Sequence, residues 1–205
     1  MLWGFARKSL GHPMRKPTSK SRNALKKTHN EVAEFQIMAR CHVFFFDEGR
    51  FGLHPDVGRC WALSGRRPVS MVNPGYKNFY VYSGVAPRSG KSFHWILPWV
   101  NTNVMSFYLQ KMSMEYSDDK IILIMDQAGW HASHDLACPG NISINFLPAY
   151  SPELNPVERL WQWLRRHVCR NRFFPSLDAL THALCESIKN LSESFLSSLC
   201  RCSYL

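Results

Sequence analysis

Two short runs constrain this chain more than any other feature. His42-Val43-Phe44-Phe45-Phe46 and Ile121-Ile122-Leu123-Ile124-Met125 are almost wholly apolar and rich in strand-forming residues. A half-exposed strand alternates apolar and polar residues, so unbroken runs of this kind belong to strands buried on both faces. Around them the periodicity predicts strands over 59–63, 79–85, 92–97 and 142–147, and helices over 102–116, 156–170 and 177–191. Val104, Phe107, Tyr108 and Met112 mark one face of the first helix; Leu177, Leu180, Leu184, Ile188 and Leu191 form one stripe on the last, either core cover or a partner surface. The layout is α/β, with a mixed central sheet flanked by helices. Each apolar run stops at an aspartate, Asp47 and Asp126. In open α/β sheets chemistry gathers outside the carboxyl ends of central strands, where loops diverge. Either aspartate alone reads more readily as a turn residue or a cap; on neighbouring parallel strands both would lie within reach of one metal ion.

Glu158 is the third carboxylate of interest. In Ser151-Pro152-Glu153-Leu154-Asn155-Pro156-Val157-Glu158, Asn155 suits an N-cap and Pro156 the first helical position, which puts Glu158 where a capping box has its acid. The helix then buries Val157, Leu160, Trp161, Leu164 and Val168. Glu158 lies beside that stripe, toward the sheet edge, where it could join the two aspartates. Three converging carboxylates suit Mg²⁺ or Mn²⁺, and their mutual repulsion would itself call for a cation. Two such ions ~3.5–4 Å apart activate an attacking oxygen and stabilise a leaving one.

The net charge of +10 is unevenly spread. Residues 1–30 hold eight basic side chains, Arg15, Lys16, Lys26 and Lys27 among them, and no acidic one. The other 175 residues carry 17 basic and 15 acidic groups, so a basic arm precedes a nearly neutral body. Such an arm suits a polyanion, nucleic acid before membrane; a solvated tail is the alternative. A short helix with Val32, Phe35 and Met38 on one side follows the arm. No apolar run approaches the ~20 residues that span a bilayer, and the opening residues do not read as a secretory signal. Seven cysteines without a CxxC pair fit a reducing compartment. The expected location is therefore cytoplasmic, with the nucleoid.

Four blocks, in order, carry a specific likeness: Phe46-Asp47-Glu48-Gly49-Arg50-Phe51-Gly52-Leu53-His54-Pro55; Gly58-Arg59-Cys60-Trp61-Ala62-Leu63-Ser64-Gly65-Arg66-Arg67-Pro68; Met125-Asp126-Gln127-Ala128-Gly129-Trp130-His131; and Leu147-Pro148-Ala149-Tyr150-Ser151-Pro152-Glu153-Leu154-Asn155-Pro156-Val157-Glu158-Arg159-Leu160-Trp161. Over about residues 42–190 the chain resembles the catalytic region of DDE transposases of the mariner-like superfamily, in its bacterial insertion-sequence branch. The resemblance implies an RNase H-like fold in which the first and fourth strands are adjacent and parallel. It carries over Asp47, Asp126 and Glu158 as a metal-binding triad for two Mg²⁺ (or Mn²⁺) ions, Asp47 bridging them. Thirty-one residues separate Asp126 from Glu158, close to what that branch usually shows. Glu48 and Glu153 match family positions outside the triad.

The implied reaction is metal-dependent hydrolysis at a transposon end, followed by attack of the freed 3′-hydroxyl on target DNA, typically at TA. The implied partners are double-stranded DNA, a second copy of the chain as a homodimer, and a separate helix-turn-helix chain. The family's helix-turn-helix modules are absent, so a truncated copy, the second frame of a split gene or a separated domain is expected. The expected organisation is an arm over 1–38, the catalytic domain over 39–192 and a tail over 193–205. DNA contacts are expected from Arg15, Lys16, Lys26, Lys27, His131, Arg159, Arg165 and Arg166. His131, His134 and Cys138 lack a fourth ligand for zinc. Trp61, Trp130 and Trp161 read as core aromatics. The alternatives are a non-catalytic DNA-binding or assembly remnant, and another RNase H-like nuclease, against which the last block argues.

Overall fold

Phe44, Phe45 and Phe46 are all buried, and they are buried on alternating faces, so the first apolar run is a central strand as its composition requires. A computed structural model describes residues 40–202 apart from 55, 66–68, 70, 72, 74 and 150. The basic arm, with Arg15, Lys16, Lys26 and Lys27, and the helix expected near Val32, Phe35 and Met38 lie outside the described residues. In chain order the elements are β1 (Cys41–Gly52), β2 (Asn78–Val85), β3 (Ser92–Leu97), α1 (Thr102–Glu115), β4 (Lys120–Met125) and β5 (Ile142–Phe146). A 3-10 turn (Pro152–Leu154), α2 (Val157–Leu164), a π turn (Arg165–Cys169), α3 (Leu177–Lys189) and α4 (Glu193–Leu199) follow. The sheet order is β3-β2-β1-β4-β5. β1 runs antiparallel to β2 and parallel to β4, β2 antiparallel to β3, and β4 parallel to β5.

Strand alternation divides the core into two layers. Phe45, Phe51, Val81, Val85, Ile122 and Ile124 face α2, α3 and α4, which contribute Leu160, Trp161, Leu164, Leu180, Leu184 and Leu196. Phe44, Phe46, Tyr82, Leu123 and Met125 face α1 through Met105, Tyr108, Leu109 and Met112. Each fully buried Phe or Leu contributes about 1.5–3 kcal/mol over an exposed one, so the two layers hold β1 and β4 rigidly in place. Among the described residues no helix is long and apolar enough to cross a membrane.

The sequence expectations need correction at three places. Residues 59–63 form no strand: the segment is irregular and Trp61 is 91% exposed. β1 instead runs past Asp47 to Gly52 and pairs with β2 throughout, from Phe45↔Val85 to Gly52↔Asn78, which takes the antiparallel partner such a strand would need. The expected tail contains α4, capped by Ser192 Oγ accepting from Phe195 N, and Leu196 and Cys200 enter the core beside α2. On α1 the buried stripe is Met105, Tyr108, Leu109 and Met112, while Phe107 packs edge-on against Trp95 at the surface.

Candidate active site

Parallel pairing of β1 with β4 brings the two aspartates together. The register runs to Phe45↔Ile124, and two further steps set Asp47 opposite Asp126. β1 does not end at Asp47, contrary to the simplest reading of its sequence; β4 ends, and a crevice opens alongside β1. Beyond β4 the chain turns, and Asp126 Oδ1 accepts from Ala128 N at 3.2 Å.

Asn155 brings the third carboxylate to the same place. It is 6% exposed, and its Nδ2 donates to the Phe46 carbonyl at 2.8 Å while its Oδ1 accepts from Val157 N at 3.1 Å. One side chain thus ties the start of α2 to β1, one residue before Asp47. The Asn155 N–H is given to the Pro152 carbonyl, so the back-bond of a capping box has no donor and Glu158 is not engaged in one. Its carboxylate lines a cleft of about 500 Å³ together with Asp47, Asp126, Gln127, Ser151 and Asn155.

The electrostatics differ sharply among the three acids. Burial pushes Asp47 up to about 7, the Trp161 indole N–H donated to Oδ2 at 2.7 Å opposes this, and Glu158 and Glu48 add repulsion. Burial also raises Glu158, with Arg165 opposing and Asp126 reinforcing the rise. Asp126 moves the other way, because a 2.7 Å hydrogen bond from His131 Nδ1 outweighs its burial. Burial disfavours a charged His131, yet its hydrogen bonds to Asp126 and Glu48 prevail and hold the imidazolium up to about 9. Among the described residues no three His, Cys, Asp or Glu side chains are already gathered at metal-ligand spacing. The donor set still fits a hard divalent cation: three carboxylates line one open cleft, and burial drives two of them toward protonation.

Several expected roles change. His131 is 2% exposed, so it faces the interior and not a nucleic acid; its Nε2 meets Glu48 Oε1 at 2.9 Å. Glu48, set outside the triad, has a side chain only 6% exposed and also accepts from Trp130 Nε1 at 3.1 Å. Strand alternation could have found it: a residue following Asp47 must point at the apolar α1 layer, where a carboxylate needs a dedicated partner. Of the three tryptophans, Trp161 is core, Trp130 half-buried and Trp61 exposed. His134 and Cys138 are exposed. Arg159, Arg165 and Arg166 lie at the surface on α2 and the π turn. The Arg159 guanidinium donates to the Arg201 carbonyl, and that of Arg165 donates to Arg50 O at 3.2 Å and lies over the Phe51 ring.

Residues 42–181 match the family model described as DDE superfamily endonuclease. The chain is 29% identical over 171 residues to the Tc3 transposase of Caenorhabditis elegans, covering 78% of this chain and 52% of that protein. It is 32% identical over 136 residues to the insertion element IS630 39 kDa protein of Shigella sonnei, covering 63% of this chain and 39% of that one. Among solved structures, the Mos1 mariner paired end complex with Mn superposes with a TM-score of 0.66 at 18% identity, over 97% of this chain and 63% of that chain. The shared fold is RNase H-like. The chain therefore spans about two fifths to two thirds of the length of these proteins.

Proposed function

The chain belongs to the DDE superfamily endonucleases, and from that membership we propose that it is the catalytic domain of a transposase, acting in metal-dependent DNA end cleavage and strand transfer. The observation that carries the reading is the meeting of Asp47, Asp126 and Glu158, from β1, the end of β4 and α2, along one cleft. These three residues would hold Mg²⁺ or Mn²⁺, in one or two sites. The metal, when bound, activates the attacking oxygen and stabilises the leaving one.

The protein's own part is positioning. β1 and β4 fix two of the carboxylates on rigid central strands, and Asn155 fixes the third through the start of α2. Arg159, Arg165 and Arg166 supply an exposed basic face next to Glu158, suited to gripping phosphates without reading sequence. The proposed partner is double-stranded DNA, as in the Mos1 complexes with transposon ends. A TA target, a homodimer and a separate helix-turn-helix chain for end recognition complete the proposal.

The test is Mn²⁺-supported nicking of supercoiled plasmid DNA by the purified chain. Wild type nicks, and Asp126→Asn falls to about 1% of wild type or less, since removing a charged ligand forfeits several kcal/mol of transition-state stabilisation. Equal nicking by Asp126→Asn sinks the assignment.

A further inference from the structure

The two aspartates are each anchored by a buried ring N–H, from two different elements. Trp161 Nε1 donates to Asp47 Oδ2 at 2.7 Å, and His131 Nδ1 meets Asp126 Oδ1 at the same distance. In both cases a ring holds one named carboxylate oxygen from the protein side, a backbone N–H adds to it (Glu48 N–H for Asp47, Ala128 N–H for Asp126), and both residues line the cleft.

Both rings are locked in place. Trp161 is buried in the core and meets Phe51 edge-on at 5.9 Å. It reaches Asp47 only because residue 49 is glycine: a Cβ there would stand 2.8 Å from Trp161 Cδ2. His131 lies edge-on to Phe46 and Trp130, and its far nitrogen is held at 2.9 Å by Glu48, itself fixed by the Trp130 indole. The chain Trp130–Glu48–His131–Asp126 thus crosses from the buried α1 face of β1 to the cleft.

We propose that Trp161 and His131, the latter held by Glu48, are positioning residues that each engage one oxygen of an aspartate and thereby hold the carboxylates of Asp47 and Asp126 in one fixed orientation toward a divalent cation. The inference rests on the reading of the cleft as a metal site. Groups that orient metal ligands in this way are worth about 10–100-fold in metal affinity. Neither ring touches the reacting atoms; both act through the aspartates.

Calorimetric Mn²⁺ titration of the full chain tests the inference, with unfolding in EDTA as the control for the fold. Trp161→Phe and His131→Gln are expected to bind Mn²⁺ about 10–100-fold more weakly. Glu48→Gln is nearly isosteric and keeps a hydrogen bond to the ring but removes the charge, and it is expected to bind a few-fold more weakly. Wild-type affinity in variants that unfold cooperatively overturns the proposal. If either ring variant fails to fold, wild-type affinity in Glu48→Gln overturns it. Asp126→Asn separates the two levels: if it binds Mn²⁺ like wild type, the metal-site reading itself has failed, whereas lost binding there with intact binding in the ring variants sinks this inference alone.

Discussion

Replacing Asp47 by asparagine is expected to make the metal-free protein more stable at pH 8, although it removes a residue placed at the centre of the site. Asp47 is held up to about 7 by burial, from an ordinary 3.8. Its carboxyl therefore keeps its proton in the folded state over a range where the unfolded chain has lost it. The unfolded state binds fewer protons across that window, so stability falls as pH rises from about 4 to about 7 and stays low above it. At about 1.4 kcal/mol for each tenfold change in proton affinity, the full cost would be about 4 kcal/mol. Water in the cleft screens part of it, which leaves roughly 2 kcal/mol. Asparagine carries no charge and its Oδ1 can still accept from the Trp161 indole, so the variant escapes the cost and keeps the bond.

Urea unfolding in EDTA at pH 4.5 and pH 8 measures this directly. With slopes of about 1–3 kcal/mol per molar urea, the variant's midpoint at pH 8 should lie roughly 1 M above that of wild type, and the gap should close at pH 4.5. Added Mn²⁺ is expected to raise the wild-type midpoint at pH 8 and leave that of Asp47→Asn in place. A variant less stable than wild type at pH 8, or a difference indifferent to pH, would refute the reasoning.

Gly49→Ala places a methyl 2.8 Å from Trp161 and 2.9 Å from Phe51, so overpacking is expected to cost about 1–3 kcal/mol in thermal unfolding. Asn155→Ala leaves the Phe46 carbonyl and the Val157 N–H without their partner; the expected loss is about 1–3 kcal/mol, with metal-supported nicking reduced as Glu158 loses its tether. The His131 ring is expected to stay protonated beyond pH 8 by NMR titration of the metal-free protein, against an ordinary 6.5. Its contribution to stability is full below about 6.5 and is lost as pH rises through about 9; a ring titrating near 6.5 would contradict the two-carboxylate environment.

What could be read from the sequence is what local composition decides. Doubly buried strands announce themselves because Phe44, Phe45 and Phe46 leave no polar face, and the stripe from Val157 to Val168 fits one side of a helix wherever the helix packs. That Asp47 and Asp126 each follow such a run was legible too, whereas their adjacency came only as what the family resemblance implied, and Glu158 entered through its place at the start of a helix. Residues 59–63 look like a strand by composition, but a strand needs a partner and β1 spends its antiparallel edge on β2. The capping-box reading of Glu158 failed because the Asn155 N–H was already taken by the preceding 3-10 turn. The link from His131 to Glu48 joins residues 83 apart in sequence, and only the sheet brings them together.

Glu48 and Asp47 are neighbours in the chain, yet they do opposite electrostatic work because a strand sends them to opposite faces. Glu48, under the α1 layer, shares the positive charge of His131 with Asp126, and the exposed Asp126 carboxylate is kept ionised by that ring. Asp47 is driven toward its protonated form by burial and by the like charges of Glu158 and Glu48, against which it has only neutral donors, the Trp161 indole and the Glu48 backbone N–H. The metal-free cleft is thus built with one carboxylate already charged and two that resist charge. A divalent cation, held as proposed, would relieve that resistance without altering a strand, so the side-chain geometry that costs stability in isolation would favour occupation by metal.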